Sequence, residues 1–312
     1  MNKRIAIIGS MNVDLVSRVP RFLLPGETLQ GFDFHVYPGG KGGNQAVAAA
    51  HLSGGVMMLG KLGDDANSAL YWKAFQDNGI DASCVQTHPG INTGTAVIEV
   101  DTGSGDNRIV YIPGANQFVD RAQVDANWDK LMACGIFLLQ LEIPLDTVTY
   151  AINRLHAAGK TIILDPAPAR ALPEGLLALC DVVTPNEVEL AMLTGLPCGT
   201  AEQMVMAGQK LLGMGVRQVV IKAGRQGAWL VREGESRLFP GFQVQAVDTT
   251  AAGDSFNAGL AAALAEGKSM VEAVPFANAV GALSTLGAGA QGAMPTRAQV
   301  DAFIQSYQRG GE

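Results

Sequence analysis

The chain has 312 residues, one large domain or two modest ones, and at that length about 75% of the unfolded surface leaves water without disulfide or metal staples. Twenty-two Lys and Arg against 29 Asp and Glu leave a net charge of −7, which excludes a nucleic-acid binder that relies on a broad basic surface but not the capture of a small anion. With 48% hydrophobic and 16% charged residues the chain is not disordered, and its one compositional anomaly is 38 glycines, about 12% against a typical ~7%.

Lys3 and Arg4 precede a short apolar run, Ile5–Ile8, that Asn12 and Asp14 end too early for a signal peptide; it reads as a first buried strand. Similar runs follow at Val56–Leu59, Ile136–Gln140, Thr161–Leu164, Val182–Thr184 and Val219–Lys222. Helical patterns occupy Asn44–Leu52, Ala66–Asn78, Leu145–Ala158, Glu187–Leu193, Ala201–Met214, Asp254–Glu266 and Val271–Thr285. Such alternation predicts an α/β fold whose largely parallel sheet is covered on both faces. Two segments break the rhythm. Thr93–Asp101 and Arg108–Pro113, joined by the glycine-bearing loop Gly103–Asn107, predict a hairpin. Val16–Pro38, with Pro20, Pro25-Gly26 and the alternating Phe32, Phe34 and Val36, is irregular. Together they predict a small sheet beside the main one, a natural lid for a ligand at the strands' carboxyl ends.

No apolar run reaches the ~18 residues of a spanning helix; the best, Ile136–Leu145, is broken by Glu142 and Pro144. Cys84, Cys134, Cys180 and Cys198 lack the Cys-x-x-Cys spacing of a zinc or redox site and read as buried small hydrophobes in a reducing cytosol. A soluble, cytoplasmic protein is expected.

The strongest chemical feature is Asp248-Thr249-Thr250-Ala251-Ala252-Gly253-Asp254-Ser255-Phe256-Asn257-Ala258-Gly259. Small residues ending at Gly253 put bare N–H groups at the start of an Ala-rich helix, where the dipole favours an anion. Asp254 reads there either as a base beside a phosphoryl group or as a helix cap. Pro38-Gly39-Gly40-Lys41-Gly42-Gly43-Asn44-Gln45 also opens a helix. It is not a Walker A loop, since Gly42 follows Lys41; either its glycines let backbone approach a ligand beside Lys41, or it is a flexible turn with a cap at Asn44. Three weaker features lie at strand-to-helix junctions: Asp14 after the first strand, Glu142 after Ile136–Gln140, and Asn186 with Glu189 at a helix start. The last pair suits water around a divalent cation or a plain cap with a first-turn acid.

With these residues in this order, the chain from Gly9 to about Pro295 resembles the ribokinase family of ATP-dependent sugar kinases. The two signatures are Gly39–Ala46 and Asp248–Asn257; Asn186-x-x-Glu189, Gly9–Asp14, Leu139–Glu142 and Asp165-Pro166-Ala167-Pro168-Ala169 resemble the ribokinase branch in particular. The resemblance implies a three-layer sandwich forming a single domain over 1–312, with a discontinuous lid of about 14–40 and 92–113. It implies phosphorylation of the primary hydroxyl of a pentose, first of all D-ribose, with Asp254 as general base. The N–H groups of Ala251, Ala252 and Gly253 would form an anion hole. Asp14, Gly40, Asn44 and Glu142 would hold the sugar, with Lys41 near the phosphates. Asn186 and Glu189 would position Mg²⁺, and Lys222, Gly224, Gly227 and Asn278 would line the ATP pocket. A potassium ion would sit among the Asp248 side chain, Thr250, Ser284, Gly287, Gly289 and Ala293, and the lid would close over the sugar and pair two copies into a homodimer.

Three departures stand out: Ala251-Ala252 where many members have Gly-Ala, Gly43 where ribokinases usually have alanine, and Leu286–Ala293, which lacks the usual basic residue and Pro-Ser pair. Rival readings are a 2-deoxyribose kinase or another sugar kinase. Few aromatics disfavour a nucleoside kinase, and the absence of Gly-x-Gly-x-x-Gly after the first strand disfavours a nicotinamide-dependent oxidoreductase. A catalytically silent sugar-binding regulator would be free to lose Asp254, which is present. No nucleic-acid or membrane partner is expected.

Overall fold

The computed structural model describes residues 3–309. Strand β1 (Ile5–Ile8) runs through the centre of the molecule and passes by a three-residue turn into β2 (Asn12–Val19), which belongs to a second sheet with β3 (Asp33–Gly39). Helix α1 (Lys41–Leu52) then returns the chain to the main body, followed by β4 (Val56–Gly63), α2 (Ser68–Asp77) and β5 (Asp81–His88). The hairpin β6 (Gly94–Asp101) and β7 (Asn107–Ile112) completes the second sheet. Short helices α3 (Arg121–Ala126) and α4 (Trp128–Met132) lead to β8 (Ile136–Leu139), α5 (Leu145–Ala157), β9 (Thr161–Leu164) and β10 (Val182–Val183). Helices α6 (Glu187–Thr194) and α7 (Ala201–Gly213) precede β11 (Gln218–Lys222) and the pair β12 (Gly227–Arg232) and β13 (Glu235–Pro240). Helices α8 (Ala252–Ala265), α9 (Met270–Ser284) and α10 (Arg297–Arg309) close the chain.

The nine-stranded sheet has the order β13-β12-β11-β10-β9-β8-β1-β4-β5. Its pairings are parallel from β5 to β11, and only the edge strands β12 and β13 are antiparallel. Both faces are covered, as near-continuous apolar strands require. Ile5, Ile7, Ile136 and Leu138 pack with α1, α8 and α9, while Ala6, Ile8, Phe137 and Leu139 pack with α5 and α7. The three layers expected from the alternation of patterns are therefore present.

The second sheet has the order β3-β2-β6-β7. Its strands differ from the sequence expectation at one point that matters. Asp14 is expected just past the carboxyl end of the first strand, where the lid of about 14–40 begins; it lies inside β2, which already begins at Asn12. The main sheet thus hands its central strand directly to the small sheet, and Asp14 belongs to the latter. Helix α1 also begins at Lys41, not Asn44. Its glycines lie in the first turn because the turn after β1 leaves no room for side chains: Gly43 N–H donates to Ser10 O at 2.8 Å, and a β-carbon on Gly42 would meet the backbone of Gly9 and Ser10. The edge pair β12–β13, the edge strand β5 and the helices α3, α4 and α10 were not anticipated.

Candidate active site

One side of the site is built from four pieces of backbone that meet at the start of α1. Gly40 caps this helix with φ of 78°, a conformation suited to glycine. A β-carbon on Gly39 would collide with the Asp14 carboxylate, so glycine there gives the acid its space. Glu142 reaches over from the turn after β8 and accepts from Ser10 Oγ at 2.5 Å and from Lys41 N–H at 3.1 Å. The Tyr111 hydroxyl of β7 donates to Glu142 O at 3.4 Å, so the small sheet touches the same turn. Burial, with Glu142 and Asp254 nearby, raises the Asp14 carboxyl to about 7. Burial alone would make Lys41 easier to deprotonate, but Asp254, Asp165, Glu142 and Glu189 outweigh it and hold the ammonium charged.

Gly43 is explained by Tyr71 of α2. This fully buried tyrosine lies where a β-carbon on residue 43 would project, and its hydroxyl donates to Gly39 O. A large side chain from a neighbouring helix thus fills the place of a small one on α1.

Asp254 lies in the first turn of α8 and is 6% exposed. Ala251, in the left-handed conformation with φ of 59°, caps the helix and accepts from Ser255 N–H at 2.9 Å. The N–H groups of residues 252–254 therefore have no carbonyl within the helix; that of Ala252 donates to Thr249 O at 3.2 Å. The Asp254 carboxylate accepts from Asn44 Nδ2 and Gln45 Nε2, each at 3.0 Å. Burial raises its carboxyl to about 6, with Lys41 opposing and Asp165 adding to the shift.

On the far side of Asp254, Lys222 Nζ donates to Asp165 Oδ1 at 2.7 Å and stands 4.0 Å from Glu189 Oε2. Asn186 and Glu189 form a reciprocal capping box: Asn186 Oδ1 accepts from Glu189 N–H, and Glu189 Oε2 accepts from Asn186 N–H, both at 2.8 Å. The cap is real, and the acid is nonetheless buried and turned towards Lys222. Lys222 also borders a cavity of about 270 Å³ that Gly224, Gly227, Gly253 and Asn278 line, with Phe242 and Phe256. The Asn278 amide also donates to Phe239 O at 2.9 Å and Pro240 O at 3.3 Å, anchoring the end of β13.

Asp248 holds the loop that follows α9. Its Oδ1 accepts from Thr250 N–H at 2.9 Å and Thr250 Oγ1 at 2.6 Å, and its Oδ2 accepts from Gly289 N–H at 3.0 Å. Burial pushes this carboxyl up, but these donors win and hold it below the ordinary value. Ser284 Oγ donates to Gly281 O at 2.9 Å, Gly289 has φ of 84°, and Gly287 and Ala293 face each other across the loop.

The fold that brings the starts of α1 and α8 together at one buried aspartate has known counterparts. The pfkB family of carbohydrate kinases matches residues 2–297. The chain belongs to this family. It is 40% identical over 305 residues to a ribokinase from Haemophilus influenzae, covering 98% of this chain and 99% of that one. It is 36% identical over 302 residues to a deoxyribokinase from Salmonella typhi, covering 96% and 98%. Its backbone matches the structure of Arabidopsis thaliana ribokinase complexed with ribose and ATP with a TM-score of 0.89, at 34% identity and 97% and 98% coverage.

As a carbohydrate kinase the chain is a phosphotransferase with a ribokinase-like fold. Within the expected site, Asp14, Gly40, Lys41, Asn44, Glu142 and Asp254 come together, and Lys222, Gly224, Gly227 and Asn278 gather around the neighbouring cavity. Sequence reasoning missed Gln45, Gln140 and Asp165 as parts of the site. The available signal was polarity in the wrong place: Gln140 and Asp165 end apolar buried strands, and Gln45 opens an otherwise apolar helix face.

Proposed function

We propose that the protein transfers the γ-phosphoryl group of ATP to the primary hydroxyl of D-ribose, giving ribose 5-phosphate. The observation that carries this reading is Asp254: a buried carboxylate raised to about 6 in the first turn of α8, held by Asn44 and Gln45 of α1 and next to Gly253, which lines the cavity of about 270 Å³. The likeness to ribokinases supports ribose and ATP as the substrates; the likeness to a deoxyribokinase makes 2-deoxy-D-ribose the competing sugar.

Asp14, Gly40, Asn44 and Glu142 hold the sugar hydroxyls and turn the primary one towards Asp254. At neutral pH Asp254 is largely ionised and takes the proton as that oxygen attacks the γ-phosphorus. The amides of Ala251, Ala252 and Gly253 and the Lys41 ammonium stabilise charge on the transferring group. Ala252 exchanges its bond to Thr249 for the phosphoryl oxygen.

Mg²⁺, when bound with ATP, neutralises phosphate charge. Asn186 and Glu189 would hold a hydrated Mg²⁺ through its water, the buried Glu189 carboxylate supplying the charge and its capping box with Asn186 fixing its position. Potassium fits the loop of Ser284, Gly287, Gly289 and Ala293 as an all-oxygen set with Asp248 and the Thr250 carbonyl, in which Asp248 already fixes the loop's geometry.

The small sheet acts as a lid and as the contact between two copies. Phe34, Val36, Val97 and Val110 lie on the face of the sheet opposite Asp14, and Phe34 and Val110 are 61% and 63% exposed, an apolar patch suited to a homodimer. No described helix is long and apolar enough to cross a membrane. An ATP-consuming enzyme with four free, buried cysteines suits the cytoplasm.

Asp254→Asn tests the reading. Turnover should fall about 10²- to 10⁴-fold, with ribose affinity, measured by calorimetry, within about threefold of the parent. Near-normal turnover would remove Asp254 as the base.

A further inference from the structure

Gln45 is fully buried in the first turns of α1. Its Nε2 donates to Asp254 Oδ1 and to Asp165 Oδ2, both at 3.0 Å. Two carboxylates can only accept, so both amide hydrogens are committed and the amide's orientation is fixed. Its Oε1 accepts from Gln140 Nε2, and Gln140 fits where it does because Gly9 has no β-carbon to strike its amide oxygen. Asp165 is in turn held by Lys222 at 2.7 Å. One nitrogen thus joins the acid at the sugar to the ion pair at the nucleotide cavity.

The other side of Asp254 is different in kind. Asn44 donates to Oδ2 and accepts from Gln291 Nε2 at 3.2 Å. In the function proposed above Asn44 is also shared with the sugar. Gln45 has no donor to spare for substrate, which makes it a fixed reference for the carboxylate.

We propose that Gln45 is a positioning residue for phosphoryl transfer, locking the rotamer of Asp254 and separating its carboxylate from that of Asp165. The proposal rests on the reading of Asp254 as the base. The charged groups facing Asp254 are Lys41 on α1, Glu142 after β8, Asp14 on β2 and Asp165 after β9, with Lys222 and Glu189 beyond Asp165. Without the bridging amide, Asp165 and Asp254 repel each other across the space of one functional group. The base is then harder to ionise and free to turn.

Gln45→Met keeps the volume and removes the donor. It should lower kcat about 10- to 100-fold, leave KM for sugar and ATP within about threefold, and move the acid limb of the kcat profile up by about one pH unit. Gln45→Glu, which cannot donate to both acids, should move the limb further in the same direction. Gln140→Leu, which leaves Gln45 in place without its orienting donor, should give a smaller shift of the same sign and serves if the Gln45 variants do not fold. Parent-like kcat, or a lower kcat with an unmoved acid limb, would overturn the proposal and reduce Gln45 to packing. Asp254→Asn, measured alongside, separates the two readings. If it is inactive while Gln45→Met behaves like the parent, only the positioning role fails; if it is active, the base assignment fails first.

Discussion

At the scale of single residues, the site's chemistry is set by carboxylates held against their preference. Asp14 titrates near 7 in the folded protein, above its ordinary 3.8, because burial and the neighbours Glu142 and Asp254 disfavour its charge. A carboxyl with a raised folded pKa costs stability once it ionises, so the cost is absent below the ordinary value and complete above about pH 7. Asp14→Asn should therefore raise stability by up to about 4 kcal/mol at pH 8 and by nothing at pH 3.5, as denaturant melts would reveal, while weakening sugar binding. For activity the sign is opposite: with Asp254 as the proposed base, which acts ionised, kcat/KM should fall about tenfold per pH unit once the pH drops below about 6. Gly43 makes a packing prediction. Gly43→Ala drives a methyl group into the Tyr71 ring and hydroxyl and should cost about 1–3 kcal/mol. Combined with Tyr71→Leu it should cost less than the two single changes together, since the collision is then removed. The acids and glycines of the site were legible because they cluster in short motifs at strand ends and helix starts, Gly39–Asn44 and Asp248–Asp254 above all. The partners Gln45, Gln140 and Tyr71 were not, since their roles depend on contacts 95 residues apart in the chain for Gln45 with Gln140 and 32 for Tyr71 with Gly39.

At the scale of elements, periodicity served the buried strands and long helices well. β1 and β8 are apolar throughout, and β9 after Thr161, because both faces are covered, and α5 shows one apolar face, with Val148, Ala151, Ile152 and Leu155 buried. It served edges and short pieces poorly. β5 is half polar and lies at the sheet's edge, and β13 exposes most of its residues, so neither carries a strong pattern. The start of α1 was hidden by its own glycines, which propensity assigns to a turn but which close packing on Ser10 and Tyr71 draws into the helix. The small sheet makes its own prediction. If the proposed dimer contact is right, the parent should sediment as a dimer and Val110→Glu, on the exposed outer face of β7, as a monomer in analytical ultracentrifugation; a parent monomer or an unchanged dimer would remove this face as the contact.

At the scale of the whole molecule, the fold works by bringing two helix starts to one point. The central strand β1 leaves the main sheet to become β2 of the small one, α1 begins where β3 ends, and α8 arrives from the opposite side of the sequence to lay Asp254 against Asn44 and Gln45. The glycine excess is concentrated in part at these approaches: Gly9, Gly39, Gly40, Gly42 and Gly43 all stand where a β-carbon would strike the site. A net charge of −7 is no obstacle to the proposed binding of ATP, because local N–H groups, Lys41 and Lys222 would face the phosphates while the surface remains acidic. The most direct measurement incubates the purified protein with Mg·ATP and D-ribose, 2-deoxy-D-ribose, hexoses or nucleosides in parallel, following ADP release and identifying the product by phosphorus NMR. The account predicts ribose-dependent ADP release with the phosphate on the primary hydroxyl, and a higher kcat/KM for ribose than for any other acceptor. No sugar-dependent ADP release, or a clear preference for another acceptor, would contradict it.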